Sequence, residues 1–290
     1  MDDQGSPSHP AHPGGPRGVA TGPAGELRER VLGSWDALLV LAADREDVGP
    51  LAELGSWPER PVLARLLAQA RGEHLDAAPP RTDHSGAGRE PILAALAEAR
   101  HRVADALELA AARPALALAE LDSTLGPLPL LTQVHAMGHE LALAALRLPD
   151  GAEPALPAPL AEAGVAALVD VVGALAHRQG LRTRAAVWGR GTGGWQFRAD
   201  PTGWTTTPCR QTPPPGVPGI EGPAATVLGV PSGRAALPAL LARGDLRLHR
   251  IGGLMALAPL VEQVPGLPGG ALLRRAVGVV GLLGRLPGVR

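Results

Sequence analysis

Apolar residues recur at helical spacing through most of the first 180 positions. From Gly25 to about Asp44 the stripe is Leu27, Val31, Trp35, Leu38 and Ala42, with Glu26 and Glu29 in the first turn, where carboxylates suit the helix dipole. Trp57 to His74 predicts a second helix with Pro61 in its opening turn, where a missing N–H costs nothing. A third runs from Glu90 to Ala112 on Ile92, Leu96, Ala99, Val103, Leu107 and Ala110. Thr124 to Leu146 reads as a fourth, and Leu160 to Ala176 as a fifth with Gly180 as its C-cap. Breaker-rich stretches at 77–88 and 149–159 separate them.

After Leu181 the period shortens to two. Leu181–Trp188 and Gly194–Asp200 alternate around a turn at Gly191–Gly194, and Gly203–Thr207 is a third β-type run. Beyond a proline-rich linker at 213–219, Ala224–Leu228 predicts a short strand and Ser232–Ala242 a helix N-capped by Ser232. Leu246–Ile251 alternates as a strand, and Leu254–Val264 predicts a last helix. The fold class is therefore α plus α+β: a helical bundle over 24–180, then a smaller α+β domain over 181–264. Residues 1–23 predict a disordered tail, and 265–290 an apolar tail that either packs as a helix or lies on a membrane surface. No signal peptide is expected, nor any run of roughly 18 apolar residues able to span a bilayer, so the cytoplasm is the default compartment.

Composition changes little in this picture. The 27 basic residues are all arginine and the net charge is -1, which gives no basic field for nucleic acid. The abundance of Ala, Gly, Pro and Arg is that of a GC-rich genome such as an actinobacterium's. Cys209, the single cysteine, has no histidine near it in sequence and reads as an incidental small residue. The five tryptophans read as core and rim packing. His101, flanked by Glu98 and Asp105 at helical neighbour positions, reads as solvated.

The candidate chemistry lies on the fourth helix. His135 and His139 are four residues apart, so both imidazoles leave one face, which also carries Leu128, Leu131, Ala142 and Leu146. Two inward imidazoles are a metal site, the remains of one, or a polar patch satisfied by hydrogen bonds.

Several pieces, taken in order, resemble the mycothiol-dependent maleylpyruvate isomerase family. They are the Trp57-led helix, Ser123-Thr-Leu-Gly-Pro-Leu-Pro129 before the histidine helix, and Gly194-Trp-Gln-Phe, Gly222-Pro-Ala-Ala and Ser232-Gly-Arg downstream. The resemblance spans roughly 25–264 and implies a DinB-like four-helix bundle followed by a sterol-carrier-like α+β domain. It also implies a divalent metal, usually zinc, held by a histidine on the second helix and a Glu-x-x-x-His pair on the fourth. The open position would take the thiol of mycothiol. Thiolate addition to an unsaturated substrate, bond rotation and elimination would then turn a cis alkene into a trans one.

The sequence departs from that pattern at two positions. Arg65 stands where the family has its second-helix histidine, and His135 stands at the glutamate position, with His139 matching the histidine. A protonated arginine has no lone pair for a metal. On this reading Arg65 fills the old metal position and depresses both histidine pKa values, Gln69 is a weak substitute donor, His74 faces the wrong way, and Glu140 projects away from the seam. Two functions stand: a metal-assisted, thiol-dependent isomerase or transferase, or a non-catalytic relative whose α+β domain binds an apolar small molecule or a partner.

Overall fold

The computed structural model describes residues 14–70, 79–123, 125–148, 156–209, 214–230, 237–257 and 260. Among the described residues, five helices of ten residues or more build the first half: α1 (Ala24–Ala43), α2 (Pro61–Ala70), α3 (Arg89–Ala112), α4 (Leu130–Ala145) and α5 (Ala158–Arg178). Their apolar stripes meet in one core that includes Trp35, Leu38, Leu51, Trp57, Ile92, Leu96 and Leu141. Trp35 and Trp57 pack edge-to-face there, with ring centroids 5.5 Å apart at 82°, a geometry the ring quadrupoles favour.

Helices α4 and α5 come very close because small residues face each other. A Cβ on Gly138 would lie 3.0 Å from the Ala163 carbonyl oxygen, and one on Gly164 would lie 2.9 Å from the Ala142 Cβ. Helix α5 ends at Arg178 with Gln179 as its C-cap, and the glycine expected there, Gly180, is the next residue and terminates the helix. Gly180, at φ +66°, donates its N–H to the His177 carbonyl, and Leu181 donates to that of Ala176, the paired bonds of a glycine-terminated helix.

The second half is a five-stranded sheet of β1 (Thr183–Arg190), β2 (Gly193–Asp200), β3 (Gly203–Cys209), β4 (Gly219–Pro223) and β5 (Arg247–His249), in the order β3-β2-β1-β4-β5. Strands β1 to β3 form an antiparallel meander, β4 runs parallel to β1, and β5 is antiparallel to β4. Alternation sends Ala185, Trp195, Phe197, Ala199 and Trp204 inward, where they pack on α5 residues such as Val165, Val169 and Leu175. Helix α5 is thus a bundle member on one side and the cover of the sheet on the other. It is also long and apolar enough to cross a membrane by length and composition, at mean hydropathy 1.6, contrary to the expectation that no stretch would qualify; yet 72% of that apolar stretch is buried in the fold.

Several sequence expectations are corrected. Ala224–Leu228 is not a strand: Pro223 ends β4 and opens helix α6 (Ala224–Gly229), and the ladder partner of β1 lies just upstream, from Gly219 at the end of the expected linker to Pro223. The fourth helix begins only at Leu130, since Leu128–Pro129 is extended and pairs with Glu120–Leu121. Trp57 sits in a 3-10 turn, Trp57–Glu59, ahead of α2. The expected helix from Leu254 begins earlier, at Ile251–Leu254, and passes into a 3-10 turn at Met255–Leu257. Helix α7 (Leu237–Arg243) is the described part of the segment expected to start at Ser232, which itself lies outside the described residues, as do 1–13 and 265–290.

The expected N-terminal tail is in part built into the fold. Residues 14–23 include a 3-10 turn, Gly18–Thr21, with Val19 buried. Pro16 accepts the backbone N–H of Trp204 at 3.0 Å, and Arg17 lies over the Trp204 ring and donates to the Thr202 carbonyl. A segment poor in apolar side chains is held by backbone pairing and one cation–π contact, which hydropathy does not register.

Replacing Gly138 by valine forces α4 and α5 apart. The expected cost is about 1–3 kcal/mol, read as a lower urea midpoint.

Candidate functional site

A lone aspartate in the apolar run of α5 organises the junction between bundle and sheet. Asp170 is fully buried. Its Oδ1 accepts three hydrogen bonds: from the Val19 backbone N–H at 3.2 Å, Trp204 Nε1 at 3.0 Å and the Thr206 hydroxyl at 2.7 Å. These partners come from the N-terminal segment and from β3. Gly18 is required beside them, since it has φ +55° and a Cβ there would overlap both Asp170 Oδ1 and Trp204 Nε1. Arg30 of α1 packs over the Trp195 ring at 4.3 Å. Burial lowers the Arg30 pKa, opposed by the attraction of Glu162, Glu26 and Asp170.

The other oxygen, Oδ2, faces His135, whose Nδ1 is 3.5 Å away, in ion-pair range though long for a hydrogen bond. His135 is buried, and a carboxylate can only accept. Neither Oδ2 nor either ring nitrogen of His135 has a hydrogen-bond partner among the described residues, but a carboxylate at this distance favours the tautomer with the proton on Nδ1 and leaves Nε2 unprotonated. One turn on, His139 is half-buried with its Nδ1 enclosed and unpartnered. Burial pushes its pKa down to about 4, so it is neutral at physiological pH. The Thr132 hydroxyl, three residues before His135, is likewise buried without a partner. The face of α4 at the junction thus carries two imidazoles with free ring nitrogens, one of them backed by a carboxylate.

The other residues singled out in the sequence lie elsewhere. Arg65 is exposed on α2, so it does not fill a position at the seam; the His139 shift comes from desolvation instead. The Gln69 side chain and His74 lie outside the described residues. Glu140 is turned aside to an ion pair with Arg60 at 2.8 Å, and Arg60 stacks on Trp57. Among the described residues no group of three or more His, Cys, Asp or Glu side chains is arranged to hold a metal. His101 is exposed, as expected, and 4.0 Å from Asp105. Cys209 is buried, which raises its thiol pKa to about 11 and keeps it protonated. Trp204 is more than packing, being a donor to Asp170. Sequence reasoning misses Asp170, although an isolated carboxylate within Val165-Ala-Ala-Leu-Val-Asp-Val-Val172 is a visible signal.

No family model matches the chain, and no curated protein matches it. Two solved structures are similar to it. One is a mycothiol-dependent maleylpyruvate isomerase at 15% identity and TM-score 0.36; the other is a histidine-to-alanine mutant of a mycothiol-dependent maleylpyruvate isomerase at 12% and 0.43. Each match covers 73% of this chain and 90% of the other. With both TM-scores below 0.5, the likeness carries no argument, and the site rests on its own residues.

Substitutions at Asp170 and His139 test this geometry. Asp170→Ala strands three buried donors and costs about 3 kcal/mol or more, read by urea denaturation. Asp170→Asn keeps an acceptor for them and costs less, but it turns an N–H toward His135 and moves that imidazole's proton to Nε2, visible in the ring 15N shifts. For His139, the folded pKa lies below the unfolded value of 6.5, so the unfolded chain binds the extra proton between those limits. Stability supplied by the neutral ring is complete above about pH 6.5 and is lost as pH falls toward 4. In chelator-treated protein, His139→Gln should flatten this fall by on the order of 2 kcal/mol, seen as a smaller drop in denaturation midpoint than in the parent.

Proposed function

We propose that this chain is a maleylpyruvate isomerase-like protein of the mycothiol-dependent type, with a DinB-like bundle, a sterol-carrier-like second half and a thiol-dependent isomerase or transferase activity. The observation that carries the proposal is the pair of imidazoles on α4, each with a free ring nitrogen, and Asp170 behind His135. A carboxylate–histidine pair is how proteins fix the tautomer and raise the basicity of a ligating imidazole. His135 through Nε2 and neutral His139 therefore fit two positions of a divalent metal such as zinc. Bound there, a metal would lower the pKa of a thiol and present its thiolate to an unsaturated small-molecule substrate.

The chain's own residues supply the setting. Asp170 orients His135, and burial keeps His139 free of a proton that would compete for its lone pair. The segment around Gly18 and Val19 closes the carboxylate off from water. A cytoplasmic location, where thiols stay reduced, suits such a reaction.

One observation favours a second reading. The third donor that a three-ligand catalytic site requires is absent among the described residues, and Arg65, at the position the resemblance gives to histidine, faces solvent. On this reading the bundle is a scaffold with a degraded metal site, and the α+β half binds an apolar small molecule or a partner.

Metal analysis of the purified full chain separates the two. The enzyme reading expects about one zinc per chain, lost on replacing either His135 or His139 by alanine. A folded, metal-free protein that takes up no zinc on titration would overturn it.

A further inference from the structure

A cavity of about 460 Å³ opens on the side of the sheet away from the histidines, lined by Arg182, Arg184, Arg198, Asp200 and Thr202 among others. Alternation fixes the direction of the strand arginines: Ala185, Phe197 and Ala199 point toward α5, so Arg184 and Arg198 point to the open face, and Arg182, just before the strand, also lines the cavity. Arg184 and Arg198 are also register partners across β1 and β2. Two like charges directly opposite in a sheet are unfavourable, and neither forms an ion pair with a carboxylate among the described residues.

Several arginines elsewhere pair with carboxylates: Arg28 with Glu108, Arg60 with Glu140, Arg100 with Asp36 and Arg102 with Glu98; Arg178 and Arg190 donate to backbone carbonyls. In the cavity, Arg184 makes one long hydrogen bond to the Gly216 carbonyl. The carboxylate in its lining, Asp200, accepts from the Thr202 backbone N–H at 2.8 Å and its hydroxyl at 2.6 Å; these bonds and, to a lesser extent, the charge of Arg198 lower its pKa, so Asp200 offsets part of one cavity guanidinium without an ion-pair contact. Those bonds, with Arg17 on the Thr202 carbonyl, fix the turn that forms the rim. The result is a concave site with a fixed rim and an excess of guanidiniums over carboxylates, in a chain of net charge -1.

We propose that this cavity binds a small molecule through a phosphate monoester. A phosphate monoester carries close to two negative charges and three terminal oxygens, matching three guanidiniums set against one carboxylate, and the planar N–H forks of arginine suit its oxygens. The cavity volume leaves room for an organic moiety beyond the phosphate. The patch is too small to track a nucleic-acid backbone. The proposal stands apart from the metal reading, because α5 and the sheet lie between the two places.

The test is calorimetric titration of the full chain at low salt with inorganic phosphate, glycerol 3-phosphate and succinate. Saturable binding of both phosphates is expected, with affinity reduced at least tenfold in Arg184→Gln/Arg198→Gln and unchanged in Arg65→Gln, an exposed arginine of the bundle. Both cavity arginines are exposed, so the circular dichroism of the double variant should match the parent; if it does not, Arg198→Gln alone is judged by the same loss. Absence of saturable phosphate binding, equal loss in Arg65→Gln, or tighter binding of succinate than of phosphate would each overturn the proposal.

Discussion

A carboxylate in the middle of an apolar helix is costly to bury, and its environment has to be complete before the fold can close around it. Asp170 draws its partners from places remote from one another in sequence: its Oδ1 is satisfied by Val19 from the N-terminal segment and by Trp204 and Thr206 from the sheet, while Oδ2 has the His135 imidazole of the neighbouring helix 3.5 Å away. Any arrangement that omits one of these leaves a donor or the charge unmet. The register of β3 against α5 and the docking of residues 14–21 are thus tied to a single oxygen atom. Gly18 belongs to the same constraint, because no side chain fits between the segment and that oxygen.

The histidines take their character from this junction and not from their own helix. The i, i+4 spacing gives them a common face, but it does not decide protonation. Asp170 favours the proton on Nδ1 of His135, and burial keeps His139 neutral. The same two features serve a metal ligand and a satisfied core residue up to one point. A core residue ends with its nitrogens bonded, whereas here both ring nitrogens of His135 and Nδ1 of His139 meet no hydrogen-bond partner among the described residues. That leftover capacity is the physical content of the functional proposal.

The bundle is largely legible in the sequence because long stripes such as Leu27–Ala42 and Ile92–Ala110 have a strong helical period. The meander is legible for the same reason at period two. What escapes is short and polar. Gly219–Pro223 looks like a breaker run, yet it forms an inner strand, since parallel pairing with β1 supplies order that its composition does not. The strap at 14–21 has almost no hydrophobic signal and is held by backbone hydrogen bonds. At the site, the four-residue spacing of His135 and His139 gives their shared face. Counting from Trp57 puts Arg65 at the seam, but the 3-10 turn at Trp57–Glu59 and the start of α2 at Pro61 leave it facing solvent. Asp170 needs the tertiary structure, as its role depends on residues up to 151 positions away.

Helix α5 belongs to both halves at once, and this limits how modular the molecule can be. A cut at Gly180 would leave the bundle with a helix whose sheet-facing side, around Val169 and Gly173, has lost its cover. It would leave the sheet with Trp195, Phe197 and Trp204 bare. The bundle core before Leu160 survives such a cut, but the core shared by α5 and the sheet does not, so the second half could be transplanted only with a helix of the same small-residue profile and an acceptor at the place of Asp170.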